Sequence, residues 1–389
     1  MKSKSTLIIL ISMLIVSFCV PDFAMTVSPS PSSALTETLT VNPFVTEAVN
    51  TVASTSQNME VFRVDDFSED YYGIIRVEAS NQSVQSGEIA IYDKKSDQEL
   101  IRVPSAGLYL YFHDGKLKAN IFEYPYGEQS QIMYDDFNFD GAKDFAIQDG
   151  IKSCYGLPSF RIYLSQDGGF VLNKDFTRLA QEYCGMFMID KDQQKIFVMN
   201  KSGCCWHQFS EFIIENGVPT VKRITTDDVN NWIPPYRVLA IQEWENGKKI
   251  ERTEKYLRWD EVKDHIILSF DLLNNGGKVI LFNLKVETGS LNYALVTEDG
   301  LIAFDFPSEN MANPVFVYSK ERTKVMLRFT DNGAEYEIYE DLEGNSIKQV
   351  GIKIKTDEKT TVLEGDTATI QGNLLNIEQA QWDNVTVNK

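Results

Sequence analysis

The 389-residue chain is short of histidine and of basic charge, and shows almost no helical periodicity. Only three histidines occur, His113, His207 and His265. None lies in a G-x-S-x-G or comparable nucleophile context, so a Ser-His-Asp hydrolase has no visible foothold. Each reads as a surface or packing residue. Lys and Arg number 37 against 56 Asp and Glu, a net charge of −19. Such a surface repels phosphate backbones and anionic lipid, which argues against nucleic acid as a partner. Apart from the N-terminus, no apolar run approaches the roughly 20 residues of a membrane-spanning helix, so no span is expected. With 56 acidic residues, a carboxylate pair of glycosidase type cannot be singled out. No internal repeat stands out.

What is present begins with an export signal. Lys2 and Lys4 precede an apolar run from Leu7 to Phe18. A basic start followed by about a dozen apolar residues is the pattern of a secretory signal peptide, taken here as residues 1–24. Cys19 raises a lipid anchor, but Phe18 is bulky where such sites want a small residue, and the reading is set aside. Residues 25–58 are nearly half Ser, Thr and Pro, with no Lys or Arg from Thr26 to Asn58. Such a stretch buries too little surface to offset its ordering entropy and reads as a flexible tether. The expected location is exported: periplasmic, extracellular or at the cell envelope.

Four cysteines follow the signal, Cys154, Cys184, Cys204 and Cys205. In an exported chain they form a disulfide set with three possible pairings. A bridge between neighbours closes a small ring, so Cys204–Cys205 is the least favoured. In an extended strand adjacent side chains face opposite ways, so each of the two is expected to bond Cys154 or Cys184. A zinc site would add His207 to the cysteines; the oxidising compartment argues against it. Trp206 and His207 beside them read as packing before contact surface.

Past the tether almost every element reads as a short strand: 59–64, 87–93, 108–112, 159–164, 195–200 and 209–217. They are rich in Val, Ile, Phe and Tyr and partly alternate. Asp114-Gly115, Asp167-Gly168, Asn216-Gly217, Asn246-Gly247, Asp299-Gly300 and Asn332-Gly333 mark hairpin turns, because these pairs accept positive φ cheaply. Lys174–Ala180 allows one short helical turn. The fold class is all-β: a propeller-like or multi-hairpin antiparallel domain over 59–264, then a smaller second β domain over 265–389. The second half lacks cysteine and offers hairpins within 278–306, 324–341 and 351–365.

One segment carries chemistry. Residues 136–144 read D-F-N-F-D-G-A-K-D. Asp136, Asn138 and Asp140 alternate, Gly141 supplies a sharp turn, Ala142 offers its carbonyl and Asp144 a carboxylate. Six or more hard oxygens at roughly 2.3–2.6 Å are what Ca²⁺ requires. Ile147 stands where a helical calcium hand places its bidentate glutamate, so the loop is a truncated version between apparent strands. Affinity is expected in the extracellular-module range of roughly 10⁻⁴–10⁻³ M.

The stretch from about Tyr134 to Val221 resembles the periplasmic calcium-binding immunity proteins that inhibit peptidoglycan-degrading effectors of bacterial type IV secretion systems. The matching segments are D-D-F-N-F-D-G-A-K-D-F at 135–145, G-L-P-S-F-R-I-Y-L at 156–164 and D-G-G-F-V at 167–171. S-G-C-C-W-H at 202–207 and E-N-G-V-P at 215–219 complete them. The resemblance covers about a quarter of the chain and implies a β-propeller-like fold, an EF-hand-like calcium loop and inhibition of a lysozyme-like enzyme. The expected protein is not an enzyme; its partner is a protein, with a cationic cell-wall hydrolase favoured by the −19 charge. The alternative is a structural or adhesive envelope module.

Overall fold

The computed structural model describes residues 59–80, 82–123, 127–274, 276–284, 289–307, 315–344 and 346–388. The expected signal peptide, the Cys19 anchor and the tether lie outside them. Asn58–Lys389 forms one compact unit.

Five sheets, antiparallel except for one terminal strand of the fifth, follow one another along the chain. The first holds β1 (Met59–Val64), β2 (Tyr71–Glu78), β3 (Val84–Asp93) and β4 (Glu99–Tyr109). A two-stranded hairpin, β5 (Phe112–His113) and β6 (Lys116–Leu117), leads to the second: β7 (Ile132–Asp135), β8 (Asp144–Gly150), β9 (Ser159–Gln166) and β10 (Gly169–Asn173). Helix α1 (Lys174–Glu182) is next, its first amides capped by the Asn173 side chain at 3.0 and 3.1 Å. The third sheet is a six-stranded meander of β11 (Met188–Asp190), β12 (Lys195–Ser202), β13 (Trp206–Glu215), β14 (Val218–Asp228), β15 (Tyr236–Glu245) and β16 (Lys248–Leu257). The fourth contains β17 (Ile266–Asp271), β18 (Lys278–Asn283), β19 (Leu291–Val296) and β20 (Ile302–Phe306). The fifth contains β21 (Phe316–Lys320), β22 (Lys324–Asp331), β23 (Ala334–Glu343), β24 (Ser346–Lys355) and β25 (Thr360–Glu364). The chain then returns: β26 (Gln371–Gly372) joins the fourth sheet, and β27 (Val385–Asn388) pairs in parallel with β21 in the fifth.

Turn chemistry sets the register. Asp114-Gly115, Asp167-Gly168, Asn216-Gly217, Asn246-Gly247 and Asn332-Gly333 all have positive φ at both residues. Each closes a two-residue hairpin, as the pairs Gln166↔Gly169, Glu215↔Val218 and Asp331↔Ala334 show. That geometry matches the right-handed twist of the flanking strands. Asp299-Gly300 differs: only Gly300 has positive φ there, and the loop is closed by Thr297 N–H donating to the Leu301 carbonyl at 2.8 Å.

The sheets stack in chain order, and each core lies between neighbours. Val64, Ile75, Ile89 and Val103 of the first sheet pack with Ile132, Phe145 and Ile147 of the second. Ala146, Phe160 and Ile162 of the second sheet turn the other way, to Phe176 and Leu179 of α1 and Ile196, Val198 and Phe212 of the third. In β18, Ile280 and Phe282 face Tyr236 and Val262, while Val279 and Leu281 face Leu327 and Ile338 of the fifth sheet. A strand buried on both faces is apolar at every position, which is why Phe145–Ala146–Ile147 and Val279–Phe282 read as unbroken runs. The division expected at 264/265 falls inside the core that joins Tyr236 and Val262 to Ile280 and Val296.

The disulfide pairing corrects the sequence expectation. Cys154 bonds Cys184, and Cys204 bonds Cys205 across a Cα–Cα distance of 3.8 Å. The alternation argument assumed an extended strand, but the last β12–β13 pair is Ser202↔Trp206. Gly203, Cys204 and Cys205 form the hairpin tip, with Gly203 at φ +62°, and side chains in a tip do not alternate.

Candidate functional site

The 136–144 segment is the tip of the β7–β8 hairpin, whose last register pair is Asp135↔Asp144. Its alternation orients it. Phe137 is buried in the core between the second and third sheets, 5.6 Å ring to ring from Phe187, and Phe139 packs against the same core. Two phenyl anchors at alternate positions leave Asp136, Asn138 and Asp140 on the outer side.

The oxygens there hold the loop together. Asp136 Oδ1 accepts from the Asp140 amide at 3.2 Å and its Oδ2 from the Gly141 amide at 2.9 Å. Asn138 Oδ1 accepts from the same Asp140 amide at 3.2 Å. Asp140 Oδ1 accepts from the Ala142 amide at 2.8 Å, and Asn138 Nδ2 donates to Asp140 Oδ2 at 2.8 Å. Gly141 has φ +90° and open space where a Cβ would stand, so the backbone angle, not crowding, calls for glycine.

Asp144 differs from the others. It is fully buried, its Oδ2 accepting from the Phe137 amide at 2.9 Å and its Oδ1 from the Ser165 amide at 2.8 Å. Burial pushes its carboxyl up to about 6, helped by the charges of Asp140 and Asp136 and opposed by the two amides. Asp144 therefore ties the loop base to the β9–β10 hairpin, a role the spacing did not reveal. Ile147 is buried in the core between the first and second sheets and faces away from the loop.

The loop has the hard-oxygen chemistry that calcium takes. In the conformation present, its carboxylates receive backbone amides. Among the described residues no group of three or more His, Cys, Asp or Glu side chains stands gathered for a metal ion. The tip carries hard-oxygen side chains in alternating order, but in this conformation they are engaged by backbone amides and Asn138 Nδ2 lies against Asp140 Oδ2.

Beside the loop is a cavity of about 400 Å³, lined by Phe122, Met133, Tyr134, Phe137, Met186 and Phe187 among others. Lys143 stands over the Tyr134 ring at 5.4 Å, and Lys191 pairs with Asp135 at 2.6 Å.

The remaining sequence candidates are dispersed. His113 Nε2 pairs with Glu128 at 2.6 Å, His207 stacks near Phe209, and His265 lies in a single 3-10 turn. Trp206 and His207 are half-buried. Four buried acids among the described residues, Asp149, Asp227, Asp331 and Glu340, escaped sequence reasoning, since nothing in composition marks one acid among 56. Asp149 gathers Ser159, Lys152 and Gln181 at 2.7, 2.9 and 2.9 Å, and Glu340 lies in the fifth sheet. Among the described residues, no helix is long and apolar enough to cross a membrane.

No family model matches the chain, and no curated protein does. Among solved structures, the chain is similar to a Xanthomonas type IV secretion system related protein. That match has 16% identity and a TM-score of 0.40, and covers 51% of this chain and 94% of that one. It is also similar to prolyl oligopeptidase B from Galerina marginata, with 9% identity and a TM-score of 0.24, over 81% of this chain and 43% of that one. Both scores lie below 0.5, and nothing is carried over from either protein.

Proposed function

We propose that this chain is an exported, non-catalytic protein that binds calcium at the 136–144 loop. In this reading it acts by binding a protein, inhibiting a cationic, lysozyme-like cell-wall hydrolase. The observation that carries the calcium reading is the loop's own construction. Phe137 is buried in the core and Phe139 packs against it, Asp136, Asn138 and Asp140 lie on the outer side, and Gly141 turns the chain at φ +90°. Asp136, Asn138, Asp140, the Ala142 carbonyl and Asp144 would hold the ion. Bound calcium would supply positive charge among three carboxylates, two of which already raise the proton affinity of the third.

The inhibitory part rests on the sequence resemblance over 134–221 and on the net charge of −19, which steers cationic partners toward the surface. Rigid stacked sheets that display hairpin tips suit recognition, because strands fix the loops in place. The test is turbidity of a peptidoglycan suspension treated with candidate exported hydrolases, with and without the exported chain, in calcium and in chelator. Inhibition that weakens in chelator is expected. Clearing by the chain alone overturns the non-catalytic reading. If no cognate or neighbouring hydrolase is inhibited or captured, the inhibitor reading falls and the envelope-module alternative replaces it.

A further inference from the structure

The two disulfides occupy opposite environments. Cys184 is 2% exposed, and its amide donates to the Met199 carbonyl at 2.8 Å. Its partner Cys154 is half-buried in the 3-10 turn Cys154–Gly156. Cys204, in contrast, is exposed at the β12–β13 tip, with half-buried Cys205 next to it. The Cys205 carbonyl accepts from the Val229 amide at 2.9 Å, so that residue is anchored while Cys204 projects.

The bridges also differ in what they restrain. Cys154–Cys184 spans a sequence separation of 30, whereas Cys204–Cys205 joins neighbours and closes no chain loop. The tip lies outside the ladder, whose last pair is Ser202↔Trp206. Opening the vicinal bridge therefore costs no strand hydrogen bond and leaves the long-range cross-link intact. A bridge that is accessible and dispensable to the fold is positioned for exchange; a buried, loop-closing one is not.

The tip has one further tie. The Gly203 amide donates to the Tyr155 hydroxyl at 2.5 Å. Tyr155 is 65% exposed, has φ +55°, and carries Lys201 Nζ at 4.7 Å from its ring. It directly follows Cys154, so this hydrogen bond links the exposed bridge to the turn that carries Cys154.

We propose that Cys204–Cys205 is a reversible thiol–disulfide exchange site for an external dithiol, with Cys204 the sulfur attacked and Tyr155 the clamp on the tip. A thiolate of the dithiol attacks Cys204 Sγ, the Sγ–Sγ bond breaks, and Cys205 leaves as a thiolate that takes up a proton. The second thiolate of the reagent then attacks the mixed disulfide and releases Cys204, which is protonated in turn. The dithiol becomes a disulfide, and its two electrons and two protons reside on Cys204 and Cys205.

The exported chain is treated with dithiothreitol, quenched at intervals with iodoacetamide and mapped by peptide mass. Cys204 and Cys205 are expected to label at least about tenfold sooner than Cys154 and Cys184. Equal rates, earlier labelling of Cys154 and Cys184, or free thiols at 204 and 205 in the untreated chain overturn the site. With reduced glutathione as probe and an acid quench, the natural chain is expected to form its mixed disulfide at Cys204 several-fold faster than at Cys205. Matching rates overturn Cys204 as the attacked sulfur. Tyr155→Phe removes the acceptor of the Gly203 amide and is expected to speed reduction of the vicinal bridge; an unchanged rate overturns the clamp.

Discussion

Glu340 Oε1 accepts a hydrogen bond from the Leu374 amide at 2.9 Å, while its Oε2 is buried with no partner among the described residues. Glu340 is 0% exposed on β23, opposite Val325 and Val350 of the flanking strands. The charge of Glu340 acts on Tyr318, whose hydroxyl donates to Glu378 at 3.0 Å. Burial pushes Tyr318 above the usual tyrosine range, so it stays neutral. The segment Leu374–Gln379 is thus fastened to the fifth sheet partly through one buried carboxyl.

Burial raises the Glu340 carboxyl to about 7, with the Leu374 amide acting in the opposite direction. A folded-state value above the unfolded one means that the folded chain binds the proton more tightly. Its contribution is fully present below about pH 4.5 and is lost as pH rises to about 7. Glu340→Gln cannot ionise, so the variant is expected to be more stable than the natural chain above pH 7, by at most about 3 kcal/mol. Denaturant melts at pH 4.5 and pH 8 check this; a difference between the two chains that does not change with pH contradicts it.

The calcium loop gives a second expectation. Asp140→Ala removes a proposed ligand and the acceptor of the Ala142 amide. Calorimetry should show binding at roughly 10⁻⁴–10⁻³ M for the natural chain and none for the variant. The rise in melting temperature on adding calcium should vanish with it. Equal heats from the two chains rule the assignment out.

The bridges should differ in worth. For a loop of 30 residues, loss of Cys154–Cys184 by Cys154→Ser is expected to cost roughly 3–4 kcal/mol through the unfolded chain. The double change of Cys204 and Cys205 to Ser closes no loop and should lie within about 1 kcal/mol of the natural chain. Urea unfolding of both variants compares them directly, and equal losses defeat the argument.

Phe145 follows Asp144 and is fully buried, with Tyr134 and Phe170 rings at 4.6 and 4.7 Å. Phe145→Ala should cost about 3–5 kcal/mol, because rings held by strands on both sides collapse poorly into the space left. If the calcium loop is set by this packing, calcium affinity should fall as well. A stability loss under about 1 kcal/mol shows that the site relaxes more than its surroundings imply.

The local features of this protein follow from neighbouring residues in the chain. Asn-Gly and Asp-Gly pairs fixed five two-residue hairpins, because Asn, Asp and Gly accept the positive φ that both turn positions need at little cost. The alternation of Phe137 and Phe139 with Asp136, Asn138 and Asp140 fixed the two sides of the candidate loop. Relationships between residues distant in the chain arise only when the sheets assemble. Asp144 meets the Ser165 amide, Glu340 meets Leu374, and Val385–Asn388 lies beside Phe316–Lys320. No local pattern encodes such meetings, since they depend on how the sheets stack. The cysteines show the same limit. Their number announced a disulfide set, but the pairing depended on Gly203–Cys205 being a tip instead of a strand, and the β12–β13 register set that.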